Sequence, residues 1–167
     1  MSKRSEKPII LILEDDQDQM DLLTALTLGE AQKLLNDTSI DDSRKQNIKN
    51  VNIVSVGDIN SLHKAVLVYK NVLLAILDCN VPDTKHTPAH DQLIKTNHRI
   101  TGQHKAVDLV VKNLPETPIA ITSSWDRFRI IVGRYYQSKY NLTINFVRKS
   151  DMNGFKKYIE IRLKGLR

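Results

Sequence analysis

Behind Pro8 runs Ile-Ile-Leu-Ile-Leu, an apolar segment closed at once by Glu14, Asp15 and Asp16. A continuous apolar run bounded by charge predicts a strand buried on both faces, as in a parallel sheet. From Asp18 the apolar positions Met20, Leu22, Leu23, Leu26, Leu28, Ala31, Leu34 and Leu35 return at helical spacing and predict a helix of about 18 residues. The polar stretch from Asn36 to Asn50 reads as a long loop. Val51 to Val56 predicts a second strand. Asp58 or Ser61 can cap a short helix carrying Leu62, Ala65, Val66 and Val68, and Val72 to Leu77 predicts a third strand.

After Pro82 the periodicity lapses: Asp83 to Thr101 is polar and reads as an inserted loop. Gly102 opens a helix with Ala106, Val107, Leu109, Val110 and Leu114 on one side, and Pro115 and Pro118 close it. Ile119 to Thr122 predicts a fourth strand, Trp125 to Lys139 a fourth helix, and Leu142 to Val147 a fifth strand. Asp151 caps a fifth helix through Phe155, Tyr158, Ile159 and Leu163. Strands alternating with helices in this way predict an α/β fold, a five-stranded parallel sheet that is doubly wound, with helices on both faces. No repeat or linker divides the series, so residues 1–167 are expected to form a single domain.

Composition narrows the classes. With 41% hydrophobic and 26% charged residues the chain can build one ordinary core, which excludes a disordered tail. Its one cysteine, Cys79, can make no internal disulfide, and no Cys/His zinc spacing occurs, so a reducing compartment is expected. The longest apolar runs fall far short of the roughly 20 residues of a membrane helix. The acidic trio directly behind the first run is incompatible with a secretory signal, so a cytoplasmic location is expected. The net charge of +6 is uneven: residues 125–167 carry 11 Lys and Arg against 3 Asp and Glu, while residues 1–124 carry 14 against 16. That local basic excess points to a partner surface rather than to general nucleic-acid binding.

Parallel doubly wound sheets bind ligands at the carboxyl ends of their strands. Glu14, Asp15 and Asp16 end the first strand, Asp78 the third, Ser123 and Ser124 the fourth, and Lys149 the fifth. Converging carboxylates repel one another unless a cation sits among them, and hard oxygen ligands suit Mg²⁺. A lysine and a hydroxyl opposite that metal can hold an anionic group such as a phosphoryl.

From Pro8 to about Leu163 these features resemble the receiver domain of two-component response regulators. Glu14-Asp15 after the first strand is similar to the family's metal-binding acidic pair, and Asp78-Cys-Asn-Val-Pro82 to its phosphoacceptor segment. Pro118-Ile-Ala-Ile-Thr-Ser123-Ser124 resembles the strand ending in a switch hydroxyl, and Phe146-Val-Arg-Lys149 the aromatic switch position and the lysine. The resemblance implies a flavodoxin-like (βα)5 three-layer sandwich of the stand-alone receiver type. It further implies Asp78 as phosphoacceptor, with Mg²⁺ held by Glu14, Asp15, Asp78 and the backbone carbonyl of Asn80. Lys149 pairs with the phosphoryl group, Ser123 and Phe146 switch, and Trp125 screens water from the site, which implies a long-lived phosphorylated state.

The implied partners are a histidine kinase or histidine phosphotransfer protein and a downstream protein target, with a homodimer through the fourth helix, fifth strand and fifth helix as a further expectation. Two departures stand out. Ser150 follows Lys149 where the family has a proline joined by a cis peptide. A non-proline cis bond costs about 2.5 to 4 kcal/mol, so a trans turn is expected there. The loop from Asp83 to Thr101 also adds roughly sixteen residues to the usual short link.

The rival reading is a receiver-like module that is never phosphorylated and uses its basic C-terminal quarter to hold nucleic acid or an acidic protein. A metal-dependent hydrolase is disfavoured, because Asp78-Cys-Asn lacks the second carboxylate of phosphatases with similar topology. Four of the five histidines, His86, His90, His98 and His104, cluster, but Pro88 spoils a helical His86–His90 pair and the segment reads as a solvated loop.

Overall fold

The computed structural model describes residues 7–78, 81, 101–123, 136, 138–140 and 144–166; for 101–104 and 123 the description is of the backbone alone. Its sheet comprises β1 (Ile9–Leu13), β2 (Asn52–Val56), β3 (Val72–Asp78), β4 (Ile119–Ser123) and β5 (Asn145–Arg148). All neighbours pair in parallel, in the order β2-β1-β3-β4-β5. Because the chain passes to opposite sides of β1 on leaving β1 and on entering β3, a crevice opens at the carboxyl ends of these two strands.

Helices α1 (Gln17–Asn36), α2 (Asp42–Lys49), α3 (Ile59–Val68), α4 (Thr101–Asn113) and α5 (Met152–Lys164) complete the described elements. The pleat sorts the apolar runs between two cores. Ile10, Ile12, Leu74, Ile76, Ala120 and Val147 face Leu23 and Leu34 of α1, Ile48 of α2 and Phe155, Ile159 and Leu163 of α5. Their sequence neighbours Ile9, Leu11, Leu13, Ala75, Leu77, Ile119 and Ile121 face Leu62 and Val66 of α3, Val107 and Val110 of α4, and Tyr136. The three-layer architecture is thus the expected one. Aspartates start four of the described helices: Asp16 accepts from the Gln19 N–H, Asp41 from Arg44, Asp58 from Ser61 and Asp151 from Gly154.

The stretch from Asn36 to Asn50, expected to be loop throughout, contains α2. Asp41 accepts a hydrogen bond from the Arg44 N–H at 2.9 Å and caps it. Ile48 is its single buried residue, so no periodic stripe exists to announce the helix. Ile48→Ala is therefore expected to cost about 2 to 5 kcal/mol in urea unfolding, against no measurable change for the exposed Ser43→Ala.

The fifth strand is also displaced: it runs Asn145–Arg148, where its register with Ala120 to Ser123 of β4 places it, rather than Leu142 to Val147. The expected loop Asp83 to Thr101 lies outside the described residues up to Thr101, which opens α4 one residue before Gly102. Of the expected helix Trp125 to Lys139, Tyr136, Ser138 and Lys139 are described and are helical, as is Tyr140. Tyr136 is fully buried and stacks on Tyr140 with ring centroids 6.0 Å apart. The Tyr140 hydroxyl and, at 3.0 Å, the Lys139 ammonium both reach Asp108 of α4. Lys139, one of the basic residues of the C-terminal quarter, is thus an ion-pair partner that ties two helices together.

Candidate functional site

Glu14 continues the alternation of β1, because its N–H donates to the Val56 carbonyl at 3.0 Å and extends the ladder with β2. Its side chain therefore shares the α1/α5 face with Ile10 and Ile12. Asp78 ends β3 in the same phase as Leu74 and Ile76, and Lys149 follows Val147 by two residues in the same phase on β5. Three strands thus aim a carboxylate, a carboxylate and an ammonium at one rim. Glu14 is fully buried and Asp78 5% exposed, whereas Asp15 is exposed; carboxylate oxygens of the three lie within 4.8 Å of one another.

Lys149 Nζ stands 2.8 Å from Glu14 Oε2, 3.0 Å from Glu14 Oε1 and 3.2 Å from Asp78 Oδ1. The turn that carries it is closed by the Asp151 N–H donating to the Arg148 carbonyl at 2.9 Å, after which Asp151 caps α5. Ser150 in place of the family's proline is thus compatible with a lysine delivered to the acidic cluster.

Among the described residues a single cation, Lys149, faces these three carboxylates. Burial, reinforced by the charge of Asp78 and opposed by Lys149, raises the Glu14 pKa from its ordinary 4.5 to about 7. Burial and then Asp78 likewise raise that of Asp15. Burial disfavours the charged Lys149, but Asp78 and Glu14 outweigh it and hold the ammonium protonated more firmly than usual. Glu14 Oε1 also accepts from the Asp16 N–H at 3.3 Å, while Oε2, although in ion-pair range of Lys149, receives no aligned hydrogen bond among the described residues. Hard oxygen donors, surplus negative charge and a buried oxygen with unused lone pairs together fit a small divalent cation.

The other expected site residues divide. Ser123 is the last residue of β4 and partners Arg148 of β5, so its backbone lies at the correct rim. Phe146 is half-buried and packs against the α3/α4 core. Asn80 and Trp125 lie outside the described residues, as do Cys79 and the histidines of the expected loop, His86, His90 and His98. Sequence reading passed over Thr122, which is 1% exposed and partners Asp78 directly across β3 and β4. Its signal was a hydroxyl in the apolar phase of an otherwise apolar strand. On the basic quarter, Arg148 and Lys157 are exposed, and Lys164 pairs with Glu160 at 2.7 Å.

The sequence matches no protein-family model and no curated protein. Among solved structures the chain is similar to the signal receiver domain of an HD domain-containing protein from Pseudomonas fluorescens Pf-5. That match has 10% identity, covers 98% of this chain and 92% of that one, and has a TM-score of 0.59. It is also similar to a response regulator receiver domain from Rhodospirillum rubrum, at 16% identity, with 92% of each chain covered and a TM-score of 0.53. The chain therefore has the receiver-domain fold. Among the described residues, no helix is long and apolar enough to cross a membrane.

Proposed function

We propose that this chain is a response-regulator receiver that takes a phosphoryl group onto Asp78 and signals through protein contacts in the cytoplasm. The observation that carries the reading is Lys149 bridging Glu14 and Asp78, with Asp15 beside them, at the carboxyl edge of a receiver-fold sheet. Magnesium would be held by Asp15, Asp78, the Asn80 carbonyl and, through water, Glu14, where it supplies charge neutralisation for the phosphoryl oxygens.

The donor in this reading is the phosphohistidine of a histidine kinase or phosphotransfer protein. An Asp78 carboxylate oxygen attacks phosphorus as the phosphorus–nitrogen bond breaks. The electron pair of that bond stays with the imidazole, which takes up a proton from solvent. Lys149 offers a fixed positive charge to a phosphoryl oxygen, and it is already oriented by its ion pairs. Ser123 then turns toward the phosphoryl group and Phe146 takes the space it leaves, so β4 and β5 report the modification to a downstream protein or a second copy of the chain. The chain catalyses only its own aspartyl phosphorylation and dephosphorylation.

Incubation with acetyl phosphate and Mg²⁺ followed by intact-mass measurement is expected to show one phosphoryl adduct on the wild type and none on Asp78→Asn. A wild type that gains no adduct overturns this reading, and DNA retardation by the same sample would favour the unphosphorylated binding module.

A further inference from the structure

Thr122 has a place that the mechanism above does not use. Its Cα partners Asp78 on one side and Val147 on the other, and partnered residues of a parallel sheet project to the same face. Thr122 and Asp78 therefore project to the same face from adjacent strands, whose backbones run about 4.8 Å apart. Thr122 is 1% exposed, and its Oγ1 makes no hydrogen bond among the described residues. The other buried threonine, Thr27, is satisfied, donating to the Leu23 carbonyl at 2.8 Å. An unsatisfied buried hydroxyl is a net cost, and valine would fill the same volume without it. The strand before it, Ile119-Ala120-Ile121, is wholly apolar. The hydroxyl is explained if another state of the site engages it.

We propose that Thr122 is a positioning residue for Asp78, donating its hydroxyl to the Asp78 carboxyl when the site is loaded with a phosphoryl group. The inference rests on the receiver reading. In the unloaded site Lys149 lies 3.2 Å from Asp78 Oδ1. A phosphoryl group draws the ammonium toward its own, more highly charged oxygens, and the carboxyl oxygen not bonded to phosphorus, which also faces the metal, keeps a lone pair that can accept a hydrogen bond from a neighbouring strand. Thr122 is the neighbour in the sheet with a donor to give. Its hydrogen bond fixes the plane of the carboxyl group, so that the other oxygen keeps its direction toward phosphorus.

The test uses beryllofluoride with Mg²⁺, a phosphoryl mimic that attaches to a carboxylate, titrated by calorimetry. Thr122→Val is expected to bind it about tenfold more weakly, equivalent to about 1.4 kcal/mol, and Thr122→Ser to stay within about threefold of the wild type. The metal-free Thr122→Val protein is expected to melt at the wild-type temperature or above, which separates positioning from loss of fold. Wild-type affinity in Thr122→Val overturns the inference, as does an equal loss in Thr122→Ser, which would assign the effect to packing. A wild type that binds no beryllofluoride overturns the receiver reading and this inference together, and is thereby distinguished from failure of the inference alone.

Discussion

Lys149→Met is expected to slow phosphoryl uptake by Asp78 about a hundredfold to a thousandfold while the chain stays folded at pH 6. Methionine keeps the unbranched stem and its packing and removes the charge. Among the described residues, that charge is the cation facing Glu14 and Asp78, and its side chain is 17% exposed, so little water screens it. A phosphoryl group arriving at two carboxylates without it meets repulsion that solvent cannot rearrange to offset. The effect on stability has a different pH signature. At pH 6 Glu14, poised near 7, protonates and relieves the loss of its partner. At pH 8 protonation is costlier, and breaking the pair approaches the about 3 kcal/mol typical of an orphaned buried charge. Acetyl phosphate labelling rates and urea unfolding at the two pH values check both halves. A labelling rate within about threefold of the wild type would remove Lys149 from the mechanism.

The alternation of strands and helices was legible because burial on both sides of a parallel sheet leaves unbroken apolar runs. Ile9 to Leu13 and Val72 to Leu77 announce themselves in that way. Helix α2 was not legible, since it rests on a cap at Asp41 and one apolar anchor at Ile48, and eight residues with one anchor have no period. The start of β5 was misplaced for a related reason. A strand end depends on where its neighbour offers partners, here Ala120 through Ser123, and hydrophobicity says nothing about that.

At the site, sequence order alone located Glu14, Asp15, Asp78 and Lys149, because in this fold the residue that ends a strand also faces the crevice. It did not yield the direct pairing of Lys149 with Glu14, which needs the turn through Ser150 as well as the strand. It placed the hydroxyl role on Ser123 and passed over Thr122, whose neighbour Asp78 is set by a register that depends on how β3 and β4 slide past each other.

Metal-free protein is expected to lose a stabilising contribution from Glu14 as pH rises from 4.5 to about 7. The folded state raises this pKa above its unfolded value, so between the two values the folded chain holds a proton that the unfolded chain has released. Stability then falls with pH. The contribution is fully present below 4.5, drains away through about 7 and is absent above, with a total of at most about 3 kcal/mol from a shift of this size at about 1.4 kcal/mol per unit. Asp15, also raised, acts with the same sign. Lys149 does not oppose it, because its raised pKa keeps it charged in both states over this range. Glu14→Gln, a neutral isostere, should flatten the slope, and the difference between the two proteins cancels the exposed carboxylates elsewhere. Excess Mg²⁺ should flatten it too, since a cation bound by the folded chain stabilises the ionised carboxylates. Urea unfolding at pH 5, 6, 7 and 8, in chelator and in Mg²⁺, measures all of this. If the wild type and Glu14→Gln keep a constant difference across that range in chelator, Glu14 is ionised throughout, and the surplus negative charge at the rim is already neutralised within the chain.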